Sequence, residues 1–150
     1  MPKIDSVENV YDELISNGFY EEAQVDKAEI SKVLMMKKED YMFAKRWKQD
    51  KNANWRLIFN AYYDILRELC DQLIHFKNQK TSNHQAVFAF IILHFPELEL
   101  DWELLERIRL MRNDNKYRGV DITQQMWKSI ELTFELYISA VQKKVEELLH

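Results

Sequence analysis

The sequence predicts an all-α fold, a bundle of five to six up-and-down helices in one domain, and three observations predict it. Only two glycines and two prolines occur in 150 residues, far below ordinary usage of about 7% and 5%. Apolar residues recur at intervals of three and four, and helix-capping signatures precede the periodic stretches. Between Gly18 and Gly119 there is no glycine and a single proline, Pro96. Hairpins rely on glycine-containing turns and phosphate loops need glycine outright. The same scarcity therefore excludes an all-β fold, a Rossmann domain and a P-loop. With 47% hydrophobic and 31% charged residues, the composition is globular, and the length suits one core better than two. Residues 1–150 are read as a single domain, its core over 25–149 and an N-terminal helix over 5–18.

The first helix opens at the Asp5-x-x-Glu8 capping box, carries Val7, Val10 and Leu14 on one face, and stops at Asn17-Gly18. The segment Phe19–Val25 reads as a connection. Asp26-x-x-Glu29 opens a second helix through Ile30, Val33, Leu34, Tyr41 and Ala44 to about Lys48. Residues 49–54 form a polar break without glycine. A long helix follows, with Ile58, Tyr62, Ile65, Leu69, Leu73 and Phe76 on one stripe. Ser82-x-x-Gln85 caps a short helix, Ala86 to Phe95, apolar on nearly every side and hence central in a bundle; Pro96 ends it. Asp101 caps the next, which contains Leu104, Leu105, Ile108 and Met111. Three short polar residues, Asn113 to Asn115, are poor helix interior, so this helix is expected to fade into an irregular bend before Gly119. The last helix starts near Asp121–Thr123, with Met126, Ile130, Phe134, Tyr137, Val141, Val145 and Leu148 as its stripe. No internal repeat or low-complexity segment is present.

The single cysteine, Cys70, excludes an internal disulfide and any cysteine-rich zinc site. No secretion signal opens the chain, and its strongest apolar run, Ala86 to Phe95, is about half the roughly 20 residues of a membrane span. A soluble, cytoplasmic protein is the expectation. Acidic pairs such as Glu21-Glu22, Glu39-Asp40 and Glu146-Glu147 read as solvated faces, because catalytic carboxylate pairs need burial or convergence. His75, His84, His94 and His150 show neither HExxH spacing nor a cysteine partner. The two Glu-x-x-His motifs, one on each of two helices, of a ferritin-like site are missing as well, so no metal and no cofactor is expected. Trp55, Phe59, Tyr62 and Tyr63 cannot all point one way on one helix, and a second aromatic surface would suit association.

One segment stands apart. Residues Arg107 to Arg118 hold five cations (Arg107, Arg109, Arg112, Lys116, Arg118) against Asp114, a local charge of +4 in a chain of −4, so the remainder carries −8. Arg109, Arg112 and Lys116 share one helix face. Guanidinium groups favour bidentate contact with phosphate oxygens, so an anion would dock here. The alternative is a helix C-terminus whose cations complement its dipole.

The stretch from Ile108 to Gly119 resembles the signature of HEPN domains (higher eukaryotes and prokaryotes nucleotide-binding), where an Arg, a polar residue and then a His or Tyr lie near a helix end. Here these are Arg112, Asn113 and Tyr117. The aromatic helix around Ala61-Tyr62-Tyr63, the Lys80-Thr81-Ser82 turn and His84 near the start of the next helix are also similar to that family. The resemblance spans about residues 25–150 and is to the small single-domain type with Tyr in place of the catalytic His. It implies a dimer whose Arg motifs face each other across a cleft, binding RNA or a nucleotide. Metal-independent ribonuclease activity, as in toxins paired with a nucleotidyltransferase, is implied as well. Arg112 would stabilise the charged phosphorane, Asn113 would orient it, and Arg109, Lys116, Arg118 and His84 would hold phosphate. A free tyrosine, with pKa ~10, is only about 0.1% ionised at pH 7, so Tyr117 would donate a hydrogen bond or stack rather than act as base. The other reading, from a different class, is a non-catalytic interaction module that docks on a nucleotidyltransferase or another protein.

Overall fold

A computed structural model describes residues 3–150. Among them are six α-helices: α1 (Val7–Ser16), α2 (Lys27–Trp47), α3 (Trp55–Phe76), α4 (His84–His94), α5 (Trp102–Arg118) and α6 (Gln124–Leu149). A 3-10 turn, Pro96–Leu98, follows α4, and two short strands, β1 (Glu21–Glu22) and β2 (Gln79–Lys80), complete the elements. The fold is all-α, as the sequence predicts.

Each helix starts where a short polar side chain takes up an orphan backbone N–H. Asp26, Asn54, Asp101 and Thr123 accept from the amides of Glu29, Leu57, Leu104 and Met126. Two caps differ from the expected ones by one residue. Ser6, not Asp5, accepts from the Asn9 amide, while the Asp5 carbonyl accepts from Trp102 Nε1 at 2.9 Å. Asn83, not Ser82, accepts from the Ala86 amide at 2.9 Å, which makes His84 the first helical residue of α4. The connection after α1 is also more ordered than expected. β1 pairs antiparallel with β2, Glu21 opposite Lys80 and Glu22 opposite Gln79. Two residues per strand are too few for any alternation to register in sequence.

The expected bend in α5 does not exist. The helix runs unbroken to Arg118 and ends on Gly119 in the left-handed region, φ 69°. Tertiary contacts override the weak propensity of the Asn-Asp-Asn stretch. Asn60 Nδ2 on α3 donates to Asn115 Oδ1 at 3.2 Å, and Asn115 Nδ2 donates to the Val120 carbonyl at 2.8 Å.

The central helix is α3, which touches α2, α4, α5 and α6. Phe59, Tyr62 and Tyr63 are therefore all fully buried, on different faces of one enclosed helix. This overturns the expectation that part of that aromatic area forms a second surface. Tyr62 meets Trp127 edge-on at 4.8 Å and Phe59 meets Phe134 at 5.7 Å, packing that adds to the area such rings bury. Helix α4 is buried from Ala86 to Ile91, and α1 lays Val7, Val10 and Leu14 against it, so the core reaches to the N-terminal helix. The buried stripe of α6 is Trp127, Phe134, Ile138, Val141 and Val145. Among the described residues no helix is long and apolar enough to cross a membrane. Helix α2 leaves Met35, Met36, Met42, Phe43 and Trp47 exposed.

Candidate functional site

Helical spacing turns Arg109, Arg112 and Lys116 toward the junction of α3 with the start of α4. Arg112 is only 8% exposed, and its guanidinium carbon sits 5.0 Å from the centroid of the Tyr63 ring. Tyr63 is fully buried, and its hydroxyl shares a 3.1 Å hydrogen bond with Nδ1 of His84. The three groups thus form a column from α5 through α3 to the first residue of α4.

Two further cations flank the column, each with a carboxylate. Arg109 donates to both oxygens of the buried Glu106, at 2.5 and 3.2 Å, and Gln85 Nε2 donates to the same carboxylate. Arg67, one turn after Tyr63 on α3, donates to Asp71 at 2.7 Å. Neither Arg112 nor Lys116 has a carboxylate within salt-bridge distance among the described residues. Two positive charges are therefore left without a matching acid.

The titration of the neighbours reflects this. Burial first, then the charges of Arg67, Arg112, Lys116 and Arg109, pull His84 from its ordinary 6.5 down to about 4. The ring is neutral at pH 7 and holds one proton, on Nδ1 or Nε2. Burial pushes the Tyr63 phenol well above its ordinary range, although Arg112, Arg109 and Arg67 oppose it, so it stays a neutral hydrogen-bond partner.

The sequence-predicted residues divide into two sets. Arg109, Arg112, Lys116 and His84 are brought together. Tyr117, 73% exposed, points to solvent, and Arg118 is exposed with its guanidinium 3.7 Å from Asp114. Asn113 is half-buried beside Arg112 on the helix. The sequence assigns Tyr63 no role at the site and gives no sign of Arg67 or Glu106 there. The i, i+4 run Tyr63-Arg67-Asp71 was legible, but nothing in the chain tells which tyrosine lies under which cation.

A second concavity, about 640 Å³, opens between α2, α3 and the ribbon, with Lys37, Glu68, Asp71, His75, Thr81 and Ser82 in its wall. Its charges are largely matched: Lys37 pairs with Glu68 and with Asp40. Burial pushes Asp71 up to about 6 against the pull of Arg67. No cluster of three or more His, Cys, Asp or Glu suited to a metal occurs among the described residues. Cys70 is buried and unpaired, its thiol pushed up by that burial.

No family model, no curated protein and no solved structure matches the chain.

Proposed function

We propose that the protein is a HEPN-type nucleic-acid- or nucleotide-binding protein, working as a homodimer in the cytoplasm, whose phosphate site is the cluster of Arg112, Lys116 and His84. The observation that carries the reading is Arg112: a residue only 8% exposed, its guanidinium resting on Tyr63, with no carboxylate to offset it. An uncompensated buried charge costs several kcal/mol, and a cation–π contact returns only about 2 kcal/mol. A phosphate supplies what is missing, two or more acceptor oxygens in the fork geometry of a guanidinium.

Binding of a phosphate group is what this cluster supports best, and metal-independent RNA cleavage is the activity that the family resemblance adds to it. Cleavage needs a cation on the phosphorane, a base for the ribose 2′-hydroxyl and an acid for the leaving oxygen. Arg112 supplies the cation. His84, neutral at pH 7, takes the 2′-hydroxyl proton as the 2′-oxygen attacks phosphorus, once a bound phosphate offsets the surrounding cations and raises its basicity. It returns that proton to the leaving 5′-oxygen, giving a 2′,3′-cyclic phosphate and a 5′-hydroxyl end. Tyr117 and Asn113 flank the cluster on α5, where a phenol at the rim stacks on a base or donates to a phosphate oxygen.

The test is single-stranded RNA incubated in EDTA with the wild type and Arg112→Ala. Cleavage that persists in EDTA and disappears in the variant supports the ribonuclease. Salt-sensitive binding without cleavage, lost in the variant, supports a binder. Neither binding nor cleavage by the wild type overturns the reading.

A second reading, an interaction module for a nucleotidyltransferase or another protein, is favoured by one observation. The exposed methionine and aromatic side chains of α2 are the residue types enriched where proteins associate. Light scattering that shows only a monomer, with no stoichiometric complex on co-purification, overturns it.

A further inference from the structure

We infer that the site takes a phosphate monoester, the terminal phosphate of a nucleotide or of an RNA end, in preference to an internal phosphodiester. The inference rests on the phosphate-binding reading above and narrows it to a ligand class. Charge is the first argument. Of the four cations acting on His84, Arg109 is offset by Glu106 and Arg67 by Asp71, while Arg112 and Lys116 are not offset. Glu68, 3.8 Å from Arg67, adds to the offset of that arginine, and Asp64 acts on Tyr63 more weakly than any of the three arginines. Two positive charges thus await an anion. A monoester carries about −1.5 to −2 at pH 7, whereas an internal diester carries one negative charge and would leave the second cation unmatched. Because His84 opens α4, the positive end of that eleven-residue helix adds to the same potential.

Access is the second argument. Arg112 is 8% exposed and lies at the inner end of the cluster, with the exposed Lys116 one turn on toward solvent. A diester has two substituents, and both must pass a guanidinium on a residue that is 8% exposed. A monoester has one, which leaves three terminal oxygens free to meet cations.

The experiment is titration calorimetry with a 5′-phosphorylated tetrauridylate, its 5′-hydroxyl counterpart, the 3′-phosphorylated form and UMP. At least one phosphorylated ligand is expected to bind about tenfold tighter than the 5′-hydroxyl strand. UMP as tight as the phosphorylated strand assigns a free nucleotide; a tighter strand assigns an RNA end. Lys116→Gln should shrink the preference, while Arg107→Gln, an equal charge change at an exposed residue facing Glu103, should keep it. Equal affinity for phosphorylated and hydroxyl strands overturns this inference and leaves RNA binding standing. No binding of any of the four overturns both.

Discussion

Two consecutive residues of α3, Tyr62 and Tyr63, each lie under a cation, and the two arrangements differ in what surrounds that cation. Lys48 sits 5.5 Å from the Tyr62 ring and donates to Glu131 at 2.9 Å and Glu135 at 2.8 Å, two acids one turn apart on α6. Those carboxylates push its ammonium well above the ordinary range, in spite of burial. Arg112 sits 5.0 Å from the Tyr63 ring with no acid. The first arrangement is a finished structural clamp between α2, α3 and α6. The second has the same cation-on-tyrosine stem but lacks its counter-ion. A cation over an aromatic ring is therefore not informative by itself; the state of its anionic partner separates a brace from a candidate binding site.

That contrast breaks most visibly if both cations are removed in the same way. Lys48→Met removes the ion pair of Glu135 and leaves Glu131 with only Lys128 and the Trp127 indole. It should lower stability by about 1–3 kcal/mol, discounted because the carboxylates are partly solvated. At this chain length that is a fall in Tm of about 3–10 °C, with phosphate binding unchanged. Arg112→Met should do the reverse, weakening phosphate binding by about tenfold or more while Tm holds or rises, since an unmatched buried charge is replaced by an apolar chain of similar length. If Arg112→Met unfolds the protein while Lys48→Met is silent, the assignment of brace and site is inverted. Differential scanning fluorimetry and calorimetry on the two variants decide it.

A smaller effect sharpens the electrostatic half. His84 is held near 4, against 6.5 in the unfolded chain. Between those values the unfolded state binds the extra proton, so stability falls as pH falls through this window. Asp71, pushed up to about 6, works in the opposite direction over part of the same range, so the comparison is made with a variant. The wild type should lose more stability than His84→Gln between pH 6.5 and 4.5 in urea titrations. Equal losses would mean that neither burial nor the cations lower the pKa of His84.

The smallest effect tests the two rings. Tyr63→Phe removes the hydrogen bond to His84 and should cost about 1 kcal/mol. The buried Tyr62 hydroxyl makes no hydrogen bond of good geometry among the described residues. Tyr62→Phe should therefore change urea stability by less than about 0.5 kcal/mol. Similar losses for both would show that the two tyrosines are equivalent after all.

Much of the fold was legible because helix signals are local. Asp26, Asn54, Asp101 and Thr123 mark helix starts through side chains that reach an amide three residues away, and that distance is written in the chain. Errors of one residue arose where two capping residues compete, Asp5 with Ser6 and Ser82 with Asn83. The unbroken α5 was not legible, because the Asn115 contact that steadies it comes from Asn60, 55 positions earlier. Of the candidate site, the shared face of Arg109, Arg112 and Lys116 followed from spacing. The approach of His84 to that face, and the ring of Tyr63 beneath Arg112, did not.

The sequence by itself determined an all-α chain, the positions of its helices and a cationic stretch at the end of α5, since glycine scarcity, periodicity and capping each act over a few residues. Arg109 and Arg67 are matched within their own helices, by Glu106 and Asp71, but tertiary structure decided that Lys48 would be neutralised and Arg112 not. Ion pairing falls off within a few ångströms, and the groups that come that close, such as Lys48 and Glu135 separated by 87 positions, are chosen by how the helices pack.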